Sequence, residues 1–317
     1  MPKIVILDPL SEDGLKMLKN ASIDYEERIG LKGDDLKKTL QEFDGAICRS
    51  GVKITADILE GNSRLKAIAR AGVGVDNIDV PAATKQKIVV MNTPGGNTLS
   101  TAEQAWMLLM ALSRNVYAAY HSLVEGRWDR KKFMGNQVSG KTLGIVGMGR
   151  IGLAVAKFAK AFDMKIYAFD PLLTPEKAKE YDVILVKDVH DMLPHIDYLT
   201  VHTPLNDATR GLIGKKEVDM IKQGARLINC ARGGIFDIDA LVEGLKSGKL
   251  GGVALDVYAS EPCTDNPLFG MPNVICSPHL GASTEEAQNN VALEAAELLI
   301  DFFTKGKIRQ SVNFPAN

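Results

Sequence analysis

The sequence predicts an α/β protein with two doubly wound parallel sheets and a cleft between the two domains that carry them. Along almost the whole chain of 317 residues, short apolar runs alternate with polar, helix-prone segments. This order is typical of βαβ units and hence of parallel sheets. Single hydrophobic cores stop growing near ~250–300 residues, so the length favours two domains, each of the Rossmann or flavodoxin-like type.

The first hundred residues contain four strand-like runs. Three of them end in polar loops, which begin at Arg49, Arg70 and Asn92. In open α/β sheets the carboxyl ends of the strands are where ligands bind, so these loops are candidate binding elements. The four predicted strands are Ile4–Leu7, Ala46–Cys48, Leu65–Ala69 and Ile88–Met91.

A long helix is predicted to follow these strands. Ser100 and Glu103 have the spacing of a capping box, and apolar residues recur behind them from Ala105 to Leu112 at helical spacing. The segment from Gly126 to Phe133 then leads into the middle of the chain. We expect this segment to mark a crossing between domains.

Residues 141–170 carry a dinucleotide-binding pattern. An apolar run ends in Gly147, Gly149 and Gly152, with the spacing GxGxxG, and a helical pattern over Arg150–Ala161 follows. The first glycine permits a tight turn, the second lets a pyrophosphate approach the backbone, and the third lets the helix pack closely on the strands. The three glycines could also have a purely structural role in connecting a strand, a turn and a helix. The complete strand, helix and second strand favour the cofactor site.

The second strand of this unit ends at Asp170. A carboxylate at this position accepts the hydroxyls of an adenosine ribose and repels a 2′-phosphate. Pro171 and Leu172 follow and provide no arginine that would hold such a phosphate. The pattern therefore predicts NAD as the cofactor rather than NADP.

Beyond Asp170 the alternation continues and completes a doubly wound sheet. The chain ends in an amphipathic helix that a second capping box, Ser283 with Glu286, would begin. This helix is free to pack on the first domain, so we predict a discontinuous substrate-binding domain (1–98 plus 284–317) and an NAD-binding Rossmann domain (99–283). The later predicted strands are Tyr198–Val201, Arg226–Asn229, Gly252–Leu255 and Val274–Ser277.

Composition argues against several classes of protein. The formal net charge is −1 with both signs dispersed, which gives no electrostatic footprint for nucleic acid or an acidic membrane. The first residues lack a signal-peptide pattern and the longest apolar run is too short to span a bilayer, so we expect a soluble, cytoplasmic protein. Four cysteines without CxxC pairs argue against disulfides and a metal site.

An enzyme that moves a hydride between NAD and an alcohol also needs a group that moves a proton. Five histidines are present, and His202 and His279 stand at strand ends. Position alone does not choose between them, since either could be hydrogen-bonded within a loop. His121, His190 and His195 lie in polar surroundings, where solvated surface side chains are expected.

Two further residues suit this chemistry. Arg232 directly follows a predicted strand and precedes two glycines, so its guanidinium could clamp a carboxylate and polarise a carbonyl. A surface ion pair is an equal alternative from the residues alone. Glu261 could pair with an imidazole, favour the imidazolium and fix the tautomer, although sequence distance does not say which histidine it would meet.

Several motifs together resemble the D-isomer-specific 2-hydroxyacid dehydrogenases. They occur from Arg49 to Ser283 and include RAGVGVDNID, VGMGRIG, NCARGG, ALDVYASEP and SPHLGAST. MNTPGGNTLSTAE and WDRKKFMG narrow the resemblance to members that oxidise 3-phosphoglycerate to 3-phosphohydroxypyruvate with NAD, the first step of serine biosynthesis. The resemblance therefore implies a phosphorylated hydroxyacid as substrate.

The resemblance also implies roles for individual residues. Arg232, Glu261 and His279 match the family's catalytic triad, with His279 as general base and Glu261 as its partner. Arg130 would reach across a homodimer, or a higher oligomer, toward the phosphate of the neighbouring subunit. The implied cofactor-binding residues are Val73, Gly147, Gly149, Arg150, Ile151, Gly152, Asp170, Thr203, Cys230, Ala231, Arg232, Asp256, His279, Gly281 and Ala282. The implied substrate-binding residues are Arg49, Arg70, Val73, Gly74, Asn97, Arg130, Arg232 and His279.

Charge is consistent with a phosphorylated substrate. Such an acid carries about three negative charges near neutral pH and needs cations beyond the catalytic arginine. Arg49, Arg70 and the cluster from Arg130 to Lys132 provide candidates. Without the resemblance, a solvated basic loop is the favoured interpretation of that cluster. Val73 and Gly95 stand where relatives often have threonine and asparagine, which leaves details of the contacts open. The chain ends soon after its last helix, so no serine-binding regulatory domain is expected.

Three alternatives differ in what they require. A hydroxypyruvate or glyoxylate reductase, or another D-2-hydroxyacid dehydrogenase, would share the triad and differ in substrate contacts. A corepressor-like interaction protein that senses NADH would share the scaffold and show negligible turnover. A formate dehydrogenase is disfavoured, because those relatives have glutamine at the position of Glu261.

Overall fold

The structure, a computed structural model, describes residues 1–314, and the chain divides into two compact units. One comprises Met1–Thr98 with Ala282–Asn317, and the other comprises Leu99–Gly281. The sequence placed the domain boundaries at residues 98/99 and 283/284. The expected crossing at Gly126–Phe133 is wrong, because this segment lies within the second unit and the chain changes units near Thr98. Residues 315–317 of the predicted first domain lie outside the described residues.

The first unit contains a five-stranded parallel sheet in the order β2-β1-β3-β4-β5. Three of the central strands are almost wholly buried, as their apolar sequences predict. The charged edge strand β2 was missed, because DYEE has no strand-like hydrophobic pattern. The strands are β1 Lys3–Ile6, β2 Asp24–Glu27, β3 Gly45–Cys48, β4 Ala67–Arg70 and β5 Val89–Asn92, and the helices are α1 Glu12–Asn20, α2 Gly33–Leu40, α3 Ala56–Leu59 and α4 Val80–Lys85.

The second unit contains a seven-stranded parallel sheet in the order β12-β11-β10-β9-β6-β7-β8. The predicted fold class, two doubly wound parallel sheets, is therefore confirmed. The strands of the second unit are β6 Thr142–Val146, β7 Lys165–Phe169, β8 Ile184–Leu185, β9 Tyr198–Val201, β10 Ala225–Asn229, β11 Leu250–Leu255 and β12 Val274–Cys276. The helices are α5 Thr98–Arg114, α6 Val116–Val124, α7 Arg150–Ala161, α8 Pro175–Glu180, α9 Lys215–Met220 and α10 Ile238–Lys246, with short 3-10 helices at Arg130–Phe133, Val189–Asp191 and Leu193–His195.

The last helix, α11 (Glu285–Lys305), packs its apolar face on the sheet of the first unit. Val291, Ala295 and Leu299 are buried there beside Ile4 and Ile47. Because the pattern of apolar residues has the helical period, one continuous face meets the core. The helix explains why the last part of the chain belongs with the first hundred residues.

Both predicted capping boxes were wrong in detail. The side chain of Thr284, not Ser283, caps α11 and accepts a hydrogen bond of 3.2 Å from the backbone N–H of Ala287. Helix α5 begins at Thr98, so Ser100 lies inside the helix. Its hydroxyl instead donates to the carbonyl of Gly281, a long-range contact that local sequence spacing does not reveal.

The glycine-rich turn after β6 needs glycine at two positions for different reasons. Gly147 has a φ of 92°, and a Cβ there would lie 2.5 Å from the carbonyl oxygen of His202. A Cβ on Gly152, in the first turn of α7, would lie 2.0 Å from the carbonyl oxygen of Gly147. The first glycine therefore makes the turn and the second seats the helix on it.

Across residues 1–314, no helix combines the length and the apolar character needed to cross a membrane.

We expect Gly152→Ala to destabilise the second unit by about 1–3 kcal/mol, because its methyl group would overlap a backbone oxygen that cannot move independently of the turn. Gly149→Ala is the matched control. No atom lies within 4 Å of a Cβ at that position and its φ is −70°, so its stability should stay near that of the wild type. Thermal and urea unfolding without cofactor measures both. Equal losses in the two variants would contradict the packing argument.

Candidate active site

The candidate residues of the second unit follow the carboxyl ends of its strands. The glycine-rich turn follows β6, Asp170 follows β7, and Arg232 comes three residues after β10. Asp256 follows β11 directly, and His279 comes three residues after β12. Since every pairing in this sheet is parallel, these ends lie along one edge.

His279 and Glu261 form a hydrogen-bonded pair at this edge. Nδ1 of His279 lies 2.7 Å from Oε2 of Glu261, while the other carboxylate oxygen accepts 2.9 Å from the backbone N–H of Tyr258. The carboxylate is thus held in place and faces one ring nitrogen. The His279 side chain is 48% exposed, so its second nitrogen remains open to a reactant. This is the geometry of an oriented acid or base.

Asp256 is completely buried and anchors the segment that carries His279. Its Oδ1 accepts hydrogen bonds from the hydroxyl of Ser277 (2.6 Å) and the backbone N–H of Leu280 (2.8 Å). Its Oδ2 accepts from the backbone N–H of Gly281 (2.8 Å). The resemblance assigned Asp256 to the cofactor, and that contact stays a prediction. The structure adds a second task, which the sequence analysis missed.

His202, the other histidine at a strand end, lies in a different environment. Its ring nitrogen Nδ1 is buried without a hydrogen-bond partner in the described residues, and Nε2 lies 3.0 Å from the hydroxyl of Thr200. No carboxylate adjoins it, and burial lowers the pKa of His202 to about 4. The imidazole is therefore neutral near pH 7, and it lacks the oriented partner that His279 has.

The expectation of a solvated side chain is wrong for His190. Its two ring nitrogens lie 2.5 Å from Oδ1 of Asp188 and 2.8 Å from Oε1 of Glu217. Hydrogen bonding to Glu217 first, and to Asp188 second, raises the pKa of His190. The pair with Glu217 joins a short 3-10 helix to α9, which is a structural role rather than a catalytic one.

Arg232 lies in a turn shaped by buried Asn229. The Asn229 side chain accepts 2.9 Å from the backbone N–H of Ala231 and donates 2.8 Å to the carbonyl of Arg232. A Cβ on Gly233 would lie 1.9 Å from the carbonyl carbon of Tyr258, so only glycine lets this turn approach the loop before Glu261. An asparagine at the end of a buried strand, just before a glycine pair, was the available signal for this role.

The glycine-rich turn and Asp170 fit a dinucleotide. Oδ2 of Asp170 accepts 2.7 Å from the backbone N–H of Met148, and Oδ1 accepts 2.8 Å from that of Leu172. These bonds fix the carboxylate beside the turn. Gly149 faces open space at the beginning of α7, where helix N–H groups attract a pyrophosphate. Arg150 and Ile151 occupy the first turn of that helix.

The remaining cofactor candidates of this unit also lie at the carboxyl edge. Thr203 follows β9, and its hydroxyl donates 2.8 Å to the carbonyl of Pro204. Cys230 follows β10 and is buried. Burial, followed by the negative charge of Asp256, raises the pKa of its thiol well above the ordinary value. The thiol of Cys230 is thus neutral and buried, and it does not have the character of a nucleophile.

The first unit places Arg49 and Arg70 at the carboxyl ends of its neighbouring strands β3 and β4. The backbone N–H of Arg49 donates 2.6 Å to the carboxylate of Asp8, which fixes the start of its loop. The Arg70 guanidinium donates 3.3 Å to the carbonyl of Ala71. Both cations therefore lie at the ligand-binding edge of that sheet.

The first unit contains further candidates in both of its chain segments. The carbonyl of Val73, just before Gly74, accepts 2.6 Å from the side chain of Asn92. Asn97 precedes α5, and its buried Oδ1 has no hydrogen-bond partner among the described residues. Ala282 accepts a hydrogen bond from Gln288 at the beginning of α11. None of these contacts assigns a ligand to them.

Arg130 is exposed in the second unit, in the 3-10 helix Arg130–Phe133. Lys132 beside it is paired with Asp129 at 3.0 Å. Within residues 1–314, no group of three or more histidine, cysteine or acidic side chains could hold a metal ion.

Comparison with known proteins identifies the family of the chain. Residues 106–281 match the family model described as D-isomer specific 2-hydroxyacid dehydrogenase, NAD binding domain. The chain is 45% identical to the D-3-phosphoglycerate dehydrogenase of Methanocaldococcus jannaschii over 99% of its own length and 60% of that relative's. It thus spans about 60% of the length of this curated relative.

Solved structures of similar length show the same fold. The NAD⁺-bound 3-phosphoglycerate dehydrogenase of Entamoeba histolytica superposes with a TM-score of 0.82 at 30% identity and 99% coverage of both chains. A glyoxylate reductase from Paecilomyes thermophila superposes with a TM-score of 0.89 at 28% identity and 98% coverage of both. The glycine-rich turn, Asp170 and the His279–Glu261 pair lie within the residues that match the family model. The chain therefore belongs to the D-isomer specific 2-hydroxyacid dehydrogenase family, and its cofactor is NAD.

Proposed function

We propose that the chain oxidises D-3-phosphoglycerate to 3-phosphohydroxypyruvate with NAD, the reaction that opens serine biosynthesis. The observation that carries the proposal is the His279–Glu261 pair at the same sheet edge as the glycine-rich turn. An oriented imidazole beside a dinucleotide site is what alcohol oxidation requires. The curated relative named above, a D-3-phosphoglycerate dehydrogenase, supports the choice of substrate.

His279 is the proposed general base. Glu261 accepts from Nδ1–H of the imidazole, so Nε2 carries the lone pair that takes the hydroxyl proton. The protonated ring is then stabilised by the carboxylate at 2.7 Å. NAD, when bound, supplies the hydride acceptor.

Arg232 is the proposed clamp for the carboxylate and the developing carbonyl of the substrate. Its turn is fixed by Asn229 on both sides, so the guanidinium starts from a rigid backbone. Arg49 and Arg70 are proposed to bind the remaining negative charge. A substrate with about three negative charges requires several cations beyond Arg232.

We further propose a homodimer formed through α6 and the residues that follow it. This surface of the second unit is apolar yet exposed, and the Trp128 side chain is 74% exposed. Exposed apolar patches of this kind mark association sites. Arg130 lies in the same region and is proposed to serve the partner's substrate. Other exposed apolar residues of the surface are Tyr117, Tyr120, Leu123, Val124 and Met134.

We propose a cytoplasmic location. All four cysteines are free thiols, and two of them, Cys48 and Cys230, are buried. A reducing compartment preserves thiols in this state.

A glyoxylate or hydroxypyruvate reductase is the second candidate. The glyoxylate reductase that superposes over almost the whole chain supports it, because a shared fold and catalytic pair serve both reactions. The two candidates differ in the charge of the substrate. Activity measurements therefore separate them directly.

With NAD, we expect kcat/KM for 3-phosphoglycerate to exceed those for glycerate, lactate and 2-hydroxyglutarate, since only the first adds a phosphate for the cations to bind. Each charge-assisted contact contributes about 1.5–3 kcal/mol, or roughly 10- to 100-fold. Steady-state kinetics with NAD and NADP in parallel measures this. A preference for a non-phosphorylated acid would transfer the assignment to the reductase, and negligible turnover of every acid would favour an NADH-binding interaction protein.

Arg130→Ala should raise KM for 3-phosphoglycerate about tenfold or more and leave glycerate kinetics unchanged, because it removes a cation that only a phosphate uses. Arg127→Ala, which removes an exposed arginine of the same segment that is paired with Asp129, is the control. Sedimentation velocity on both variants checks that the oligomer persists. Equal effects on both substrates would count against a phosphate contact.

His202 should make the protein less stable in acid. Its pKa in the folded protein, about 4, lies below the ordinary 6.5, so its contribution is present above pH 6.5 and is lost as pH falls toward 4. Each pKa unit corresponds to about 1.4 kcal/mol. Relative to that of His202→Asn, the free energy of unfolding of the wild type should therefore be about 2 kcal/mol lower at pH 5 than at pH 7.5. Urea unfolding at both pH values measures it, and parallel pH dependences would refute it.

A further inference from the structure

Helix α5 forms hydrogen bonds to both ends of the segment 277–281, which carries His279. The hydroxyls of Ser100 and Thr101 donate to the carbonyl of Gly281 at 2.8 and 3.1 Å. One helical turn later, Nε2 of Gln104 donates 3.1 Å to the hydroxyl of Ser277. Residues four apart share a helix face, so one face of α5 holds the segment before and after His279.

The direction of the hydrogen bonds at Ser277 is determined by its partners. A hydroxyl has one hydrogen to donate, and the amide of Gln104 occupies one of its lone pairs. The hydroxyl hydrogen is therefore given to Oδ1 of Asp256 at 2.6 Å. The same amide nitrogen lies 3.5 Å from that carboxyl oxygen, which accepts hydrogen bonds from Ser277 and Leu280, and the opposite orientation of the amide would place two acceptor oxygens against each other. The chain of bonds runs from Gln104 through Ser277 to Asp256.

This chain acts on a backbone that would not hold its shape unaided. His279 has a φ of 55°, in the left-handed region that a residue with a side chain rarely adopts. Such conformations persist where surrounding contacts over-determine them. Here Asp256 holds Leu280 and Gly281 on one side of His279, and Tyr258 donates 3.0 Å to the carbonyl of Ser277 on the other.

We propose that Gln104 is a positioning residue for the proton transfer. By directing the Ser277 hydroxyl onto Asp256, it fixes the backbone from which His279 meets Glu261. The inference rests on the proposed function, because it assumes that His279 moves the proton. It assigns a role in that chemistry to a side chain of α5 that no sequence motif singled out.

The test compares Gln104→Leu with wild type and with Glu103→Leu. Glu103 is exposed on the same turn of α5, so its substitution controls for a change in the helix alone. We expect Gln104→Leu to lower kcat about 5- to 20-fold, with the dissociation constant for NADH and the thermal midpoint near the wild-type values. Its pH–rate profile should shift in the direction that Glu261→Gln shifts it. Glu103→Leu should change none of these.

Variants of Ser277 test the chain of bonds. Ser277→Ala should match Gln104→Leu, and Ser277→Thr, which keeps the hydroxyl, should restore most of the rate. Because the two side chains act in series, the double variant Gln104→Leu with Ser277→Ala should be no slower than either single variant. Multiplicative losses would overturn the proposal, as would a Gln104→Leu enzyme whose rate and pH profile are those of wild type. A rate loss accompanied by equal losses in NADH affinity and thermal stability would also overturn it, since that is a structural effect.

A readout independent of turnover separates this inference from the proposed function. In protein labelled with ¹⁵N and ¹³C histidine, the His279 ring signals are assigned by their disappearance in His279→Gln. We expect Gln104→Leu to move these signals and leave those of His190 unchanged. If the wild type turns over no hydroxyacid but the signals move, the proposed function fails and the positioning contact stands. If the wild type is active but the signals and the rate do not move, the inference alone fails.

Discussion

Because every pairing in the second sheet is parallel, the chain leaves all seven strands at the same edge. This pairing places the glycine-rich turn, Asp170 and the residues after β10, β11 and β12 along one edge, although together they span more than a hundred positions in the sequence. No single segment makes the site. Its chemistry depends on short loops whose ends the strands fix, which is why glycine, asparagine and buried carboxylates recur there.

Asp256 shows how such a loop is made rigid. A carboxyl group without exposure to water carries a desolvation cost, which is offset only when its oxygens are fully hydrogen-bonded. Here Ser277, Leu280 and Gly281 provide those bonds, and all three belong to the segment around His279. The same bonds that offset the burial of the Asp256 carboxyl group hold His279 in a left-handed backbone conformation. The same set of contacts thus determines both stability and catalytic geometry, so a substitution that weakens these contacts affects both.

The sequence was sufficient for the features that depend on period and on local backbone geometry. The helix Arg150–Ala161 and the strand Tyr198–Val201 have the predicted bounds, because apolar spacing and glycine position determine them. The edge strand β2 was not predictable, since an exposed strand needs no apolar pattern. Nor were the partners of Ser100 and Gln104, which lie more than 170 positions away in the chain. A capping box was the natural interpretation of Ser100, and a tertiary contact replaced it.

The choice between the two histidines at strand ends also required structure. His202 and His279 have similar sequence surroundings, yet burial without a charged partner holds the first neutral at physiological pH, whereas the second meets a carboxylate and keeps one nitrogen accessible. A proton carrier must exchange its proton with a reactant and must stabilise both of its states. An imidazole that resists protonation to about pH 4 satisfies neither condition near neutrality. The environment of the ring, more than its place at the end of a strand, therefore assigns the chemistry to His279.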